Sequence, residues 1–407
     1  MNGSFSRYPY AFYIALDGNG LNGLEGFAGI CLFLYNPETN NIAYKVNYFS
    51  GVAGGHAVML NPSGTVGFLG NCSQHILLFD GATLEEMQRL STLSIDSDVP
   101  CIQASTHATW LSDTEFISAV GSHFYKFNID KLSRPEKIAE HLVKLPHAIK
   151  LSKSGRFLCY GSMDSPRGGY AKHVGVMDMV TGQTSTIALP TTCWHVATHP
   201  EEDRFYSISF RTAPTNHSSD YKDWAISYDK QYVFEIDNAT SQISRHWSGS
   251  RELPLHINSD ITISETELIF CNGGSQTIAF LELANFQAIR LIDERPAPAE
   301  LFSKKREIYT QVYDSFARAS QISDFHHILN ALKINRFTCL DSVYGCQLSH
   351  DQKFLFTANR GLNQIKIYSY DDLKTELIVE MPAIQEFLPL IPEHADPRLG
   401  FHHACMR

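Results

Sequence analysis

Short runs of alternating or continuous apolar residues, each closed by a polar turn, recur along the chain. They read GICLFLYNPETN from Gly29, HILLFDGATLEE from His75, HFYKFNIDKLSR from His123, HVGVMDMVTGQT from His173, QYVFEIDNATSQ from Gln231, QTIAFLELANFQ from Gln276 and QIKIYSYDDLKT from Gln364. A second apolar run such as NIAYKV, TSTIAL or AIRLI follows the turn, so each unit reads as a β-hairpin. Upstream of six hairpins stands another repeat of strand, tight turn and strand: HAVMLNPSGTVGFLG, HATWLSDTEFISAVG, HAIKLSKSGRFLCYG, HVATHPEEDRFYSISF, HINSDITISETELIFCN and YGCQLSHDQKFLFTAN. Ser, Asn or Asp in these turns hydrogen-bonds the backbone and Gly supplies positive φ.

Two strands from each repeat make four per unit, at an irregular period of roughly 40 to 60 residues. Closed radial repetition protects so many strand edges, and the pattern predicts an all-β fold, a seven-bladed β-propeller spanning residues 1–407 as one domain. The first hairpin lacks an inner strand upstream. The tail GFHHACMR, from Gly400, opens like HAVM and HAIK, so the amino- and carboxyl-terminal strands are expected to pair and close the ring. One stretch departs from the strand pattern: residues 296–335 carry apolar positions at helical spacing, which predicts a helical insertion between blades six and seven, lying over the channel mouth.

Composition narrows the function classes. No apolar run is long enough to span a bilayer, and a net charge of -10 without a Lys/Arg cluster gives no footprint for nucleic acid or anionic lipid. The amino end has no signal-peptide pattern, and nine cysteines scattered singly suit a reducing compartment, so a cytoplasmic location is expected. No GxSxG or GxxxxGK[ST] motif occurs, which leaves triad-hydrolase and P-loop readings without support.

The candidate chemistry lies in the histidines. With the inner strands aligned by their turns, the residue four before the turn leucine is His56, His107, His147 and Tyr344. The weaker flanking pattern adds His195, His256 and His403, giving six histidines and a tyrosine at seven equivalent positions. Side chains at one level of the innermost strands are expected to converge on the channel. Imidazoles are poor choices for packing there, because each needs a polar partner, whereas neutral imidazole is a common ligand of iron, copper, zinc and nickel. An all-nitrogen shell favours Fe(II) first and copper second as the cofactor, with Tyr344 offering a phenol to a bound oxygen species.

Several resemblances bear on the site. The GFHH tail at Gly400–His403 and the stretch THPEEDRFY from Thr198 resemble segments of carotenoid cleavage oxygenases, seven-bladed propellers that hold one non-heme iron on four channel histidines. PHAIKLSKSG is similar in style to the His-bearing turns of nitrous oxide reductases, whose propellers hold a multicopper cluster. HAIKLSKSGRFL and QLSHDQKFLFTANR resemble YVTN-type propellers, which include lactone hydrolases and thiol-oxidising proteins. The resulting expectation is a metal-dependent oxidoreductase that activates oxygen on an apolar or aromatic small molecule. The alternatives are a metal-assisted hydrolase or lyase of lactonase type and a non-catalytic propeller that binds a protein.

Overall fold

Twenty-eight strands of the chain assemble as seven antiparallel four-stranded sheets, each a propeller blade. The computed structural model describes residues 7–17, 27–52, 54–71, 73–95, 106–121, 123–140, 143, 146–163, 172–210, 212–214, 224–226, 231–249, 258–272, 277–294, 343–389, 391 and 397–407. The helical insertion expected at 296–335 lies outside these residues. Helical segments among the described residues are three-residue 3-10 turns such as Thr92–Ser94 and Ile384–Glu386. No described helix is long and apolar enough to cross a membrane.

The innermost strands of blades 2 to 7 are Gly55–Leu60, Ala108–Trp110, Pro146–Leu151, Cys193–Thr198, Asn258–Ile263 and Val343–Leu348. Blade 1 is composite. Its sheet runs from Asn41–Ser50 through Phe27–Asn36 and Tyr10–Asp17 to the carboxyl-terminal strand Phe401–Met406, which supplies the innermost position. Pairing of Tyr13 with Cys405 and Leu16 with Phe401 therefore closes the ring, as the GFHH tail leads one to expect.

The middle strands of a blade have two buried faces, because a blade packs against a neighbour on either side. Strand alternation divides the side chains between them: Leu69 joins the core shared with blade 1 and Phe68 the core shared with blade 3, while Ile269 and Phe270 part towards blades 7 and 5. Continuous apolar runs such as GFLG and ELIF follow from this arrangement. At the rim, a polar side chain of one blade's outer strand donates to the tight turn of the next. Asn47 reaches the Leu84 carbonyl at 2.7 Å, Gln88 the Ile129 carbonyl at 2.9 Å, and Arg245 the Ala284 carbonyl at 2.8 Å. Arg290 does the same to Tyr370 at 2.8 Å.

The inner strands depart from regular pairing in a way that positions the site. In blade 2, Gly55 faces Asn71 and Val58 faces Leu69, so His56 and Ala57 together stand opposite Gly70 alone. The register shifts likewise in blades 1, 4, 5, 6 and 7. Such a β-bulge bends the strand and re-aims the side chains it carries. A regular inner strand would send side chains alternately into the two inter-blade cores, as Val58 and Met59 go. The bulge frees one or two residues per blade to face the axis. It needs little bulk opposite. A Cβ on Gly70 would lie 1.8 Å from the Thr106 carbonyl oxygen, and one on Gly161 2.2 Å from that of Trp194.

Phe401 is fully buried between blades 1 and 7 on the closing strand. Denaturant unfolding of Phe401→Ala should show a loss of about 3–5 kcal/mol, the range for a buried phenylalanine truncated in a core. Ile378→Ala, on a 53% exposed outer-strand residue, should change stability by less than about 0.5 kcal/mol. Equal effects would contradict the closing role of the terminal strand.

Candidate metal centre

The turn after each inner strand fixes the register of the site. Asn61, Ser152, His199 and Ser349 each donate their backbone N–H back across the turn, to Val66, Phe157, Arg204 and Phe354. In blades 3 and 6 the same bond runs from Ser112 to Glu115 and from Ser264 to Glu267. Counting back five residues from each gives His56, His107, His147, Trp194, Ser259 and Tyr344. The pairing of the closing strand adds His402. The next residue is Ala57, Ala108, Ala148, His195, Asp260, Gly345 or His403, which is the second bulge position in every blade but the third, where Ala108 pairs regularly with Ser118. Ala148 shows the local distortion directly, with φ at 52°.

This register corrects the expected alignment at three places. His195 and His403 stand one residue beyond the level of His56, at the second bulge position, and reach the channel because the bulge turns them inward. In blade 6 the equivalent level is held by Ser259 and Asp260, and His256, three residues upstream, lies outside the described residues. His402, which turn counting from GFHH did not single out, takes the first position in blade 1.

Six imidazoles are brought together: His56, His107, His147, His195, His402 and His403, all buried. One ligand nitrogen from each of His56, His107, His147 and His403 lies within 4.8 Å of the others. The ring centroids of His107 and His147 are 4.2 Å apart, those of His56 and His147 4.9 Å, and those of His56 and His403 5.0 Å. His195 flanks the group at 4.7 Å from His403 and 5.2 Å from His147. On the other side His402 lies 4.3 Å from His56 and 4.3 Å from Tyr344. Tyr344 thus belongs to the periphery of the cluster, with the Arg360 guanidinium 5.9 Å from its ring centre and paired to Asp17.

The outward nitrogens are tied to the protein, which settles what the inward ones can do. His147 donates Nδ1–H to the Trp194 carbonyl at 3.0 Å, and Nδ1 of His403 lies 3.3 Å from Oδ1 of Asp260. Nδ1 of His107 is 3.2 Å from the Thr106 hydroxyl, and His402 donates Nδ1–H to the His56 carbonyl at 2.6 Å. Nε2 is left to face the interior. His147 Nε2 must then be a lone-pair nitrogen, and it lies 2.7 Å from Nε2 of His56. At that distance His56 donates Nε2–H to the lone pair of His147. Nε2 of His195 and of His403 are both buried without a hydrogen-bond partner among the described residues. An orphaned buried nitrogen costs about 1–3 kcal/mol, so two of them in one cluster point to a bound group.

Protonation is opposed throughout. Burial first, then the neighbouring imidazoles, holds His56, His107, His195 and His402 well below the usual imidazole value. Burial pushes His147 down to about 3. Neutral imidazole is the form that ligates a metal. The cysteines do not compete: Cys193, next to the cluster in sequence, is raised to about 12 by burial, as is Cys405. The four-nitrogen group therefore suits a late first-row divalent ion, and no carboxylate or thiolate belongs to it.

No protein-family model matches the chain, and no curated protein sequence matches it. Solved structures do. A putative 6-phosphogluconolactonase from Bacteroides fragilis is similar over the whole of both chains, with a TM-score of 0.59 at 10% identity. Another from Bacteroides uniformis has a TM-score of 0.56 at 12% identity, over 98% of this chain and 99% of its own. The dihydro-heme d1 dehydrogenase NirN in complex with DHE has a TM-score of 0.50 at 9% identity. This match covers 90% of the present chain, which spans 65% of the NirN chain. At these identities the likeness is one of fold.

The depressed imidazoles give the metal-free protein a defined acid response. Below about pH 6.5 the unfolded chain takes up protons that the folded cluster refuses, so folding stability is full above that pH and falls as pH drops towards 3. The slope contributed by each such histidine should approach about 1.4 kcal/mol per pH unit. Denaturant titrations between pH 7 and 4 measure it, and replacing His147 by Gln should flatten the curve. A stability independent of pH across that window would contradict the neutral cluster.

Proposed function

We propose that the chain is a propeller enzyme holding one late first-row divalent ion on His56, His107, His147 and His403, and acting on a small molecule at the histidine end of the channel. The observation that carries this reading is the convergence of four imidazole nitrogens within 4.8 Å, with buried Nε2 atoms among and beside them that have no hydrogen-bond partner among the described residues. When bound, such an ion supplies Lewis acidity to a carbonyl oxygen or, if redox-active, an electron-transfer couple. The protein supplies the rest. The Trp194 carbonyl orients His147, Asp260 orients His403, and the apolar inter-blade cores keep the ligand rings fixed and dry.

Between reaction classes, metal-assisted opening of a cyclic ester has the support of whole-length fold likeness to two putative 6-phosphogluconolactonases. His195, with its buried free Nε2 outside the four-ligand group, then stands where it can contact substrate. The second reading is an oxidoreductase with iron, or failing that copper. A donor group without carboxylate or thiolate favours it, as does the GFHH resemblance to carotenoid cleavage oxygenases. In that reading Tyr344, packed against His402, offers its phenol near the reacting molecule.

Metal analysis of untagged protein separates these readings. The wild-type chain should carry or take up about one equivalent of a transition metal. His147→Ala and His403→Ala should each reduce this to below about a tenth, whereas His195→Ala should keep most of it. Zinc together with turnover of a lactone panel supports the hydrolase. Iron or copper together with oxygen uptake supports the oxidoreductase. Failure of the wild-type protein to bind zinc, iron or copper overturns the proposal.

A further inference from the structure

Blade 6 alone places a carboxyl group at the bulge level that elsewhere carries histidine, aromatic or small side chains. Asp260 is buried, and its two oxygens are fully employed. Oδ1 accepts the N–H of Ile261 at 2.9 Å and faces Nδ1 of His403 at 3.3 Å, while Oδ2 accepts the N–H of Cys346 at 3.1 Å. One side chain thus joins the inner strands of blades 6, 7 and 1. The two backbone donors fix the carboxyl group in place, with Oδ1 beside Nδ1 of His403.

We propose that Asp260 is the positioning residue of the centre: it holds His403 as the Nδ1–H tautomer and aims the Nε2 lone pair into the cluster. The inference rests on the metal reading for its purpose, but its physical content does not need a metal. His403 stands on the closing strand, next to that strand's other cluster imidazole, His402, whose Nδ1 is anchored differently, on the His56 carbonyl. Without Asp260 nothing among the described contacts of His403 selects which nitrogen carries its proton. An imidazole free to place its proton on Nε2 would present a donor, instead of a lone pair, to His56, His107 and His147. Carboxylate or carbonyl partners of this kind typically alter metal affinity by about 10- to 100-fold.

The test reads the tautomer and the affinity separately. In nitrogen-15 spectra of the metal-free wild-type protein, His403 should show a protonated Nδ1 and an unprotonated Nε2; the reverse assignment overturns the inference with no variant required. In Asp260→Ala the tautomer preference should be lost, and zinc affinity measured by competition should fall about 10- to 100-fold. Ser259→Ala is the structural control, because it breaks another tie between blades 6 and 7, the hydroxyl bond to the Val343 carbonyl at 3.2 Å, without touching His403. It should leave both readouts unchanged. An unchanged tautomer and affinity in Asp260→Ala, or equal losses in Ser259→Ala, would show Asp260 to be merely structural. If the wild-type protein shows the expected tautomer and binds neither zinc, iron nor copper, the positioning role stands and the metal reading fails.

Discussion

Burying six imidazoles around one axis is the constraint on which the site depends. Each ring brings two nitrogens that water would otherwise satisfy, and the interior must replace those partners or bear the cost. The chain does so on the outward side only, with the carbonyls of Trp194 and His56, the Thr106 hydroxyl and Asp260. Inward, the nitrogens have little but one another, as the 2.7 Å approach of His56 and His147 shows. A cation shared among them, as proposed, would resolve the conflict that packing alone leaves open.

The fold makes this arrangement possible through one repeated irregularity. Regular inner strands would commit their side chains to the cores between blades. The bulge, set against Gly70 in blade 2 and Ala358 in blade 7, turns them to the axis instead. Because His402 and His403 lie on the strand that closes the ring, the site is complete only when the two chain ends pair. Ring closure and the centre are therefore coupled: a shared ion would bridge blade 1 to blades 2, 3 and 4 across the channel.

Much of the architecture was legible because blade strands are short, apolar and punctuated by turns. The seven hairpins and the closing tail are visible in that rhythm alone. The site was legible where turn spacing is uniform: His56, His107, His147 and Tyr344 follow from their turn leucines. It was obscured where the turn leucine is replaced. Thr198 holds its place in blade 5 and Ile263 in blade 6, and the nearest histidines, His195 and His256, drew attention from Trp194 and from Ser259 and Asp260. Adjacent His402 and His403 would point to opposite faces in a regular strand, and only the bulge lets both serve. The bulge leaves no uniform trace in the sequence, since the residue opposite it is Gly70 in blade 2 and Tyr160 in blade 4.

The most direct measurement is diffraction at the absorption edge of the bound metal, from crystals of the metal-loaded protein. The account predicts one anomalous peak, surrounded by Nε2 of His56, His107, His147 and His403 at about 2.0–2.2 Å. A peak elsewhere, or a cluster whose Nε2 atoms diverge and hold no ion, would contradict it.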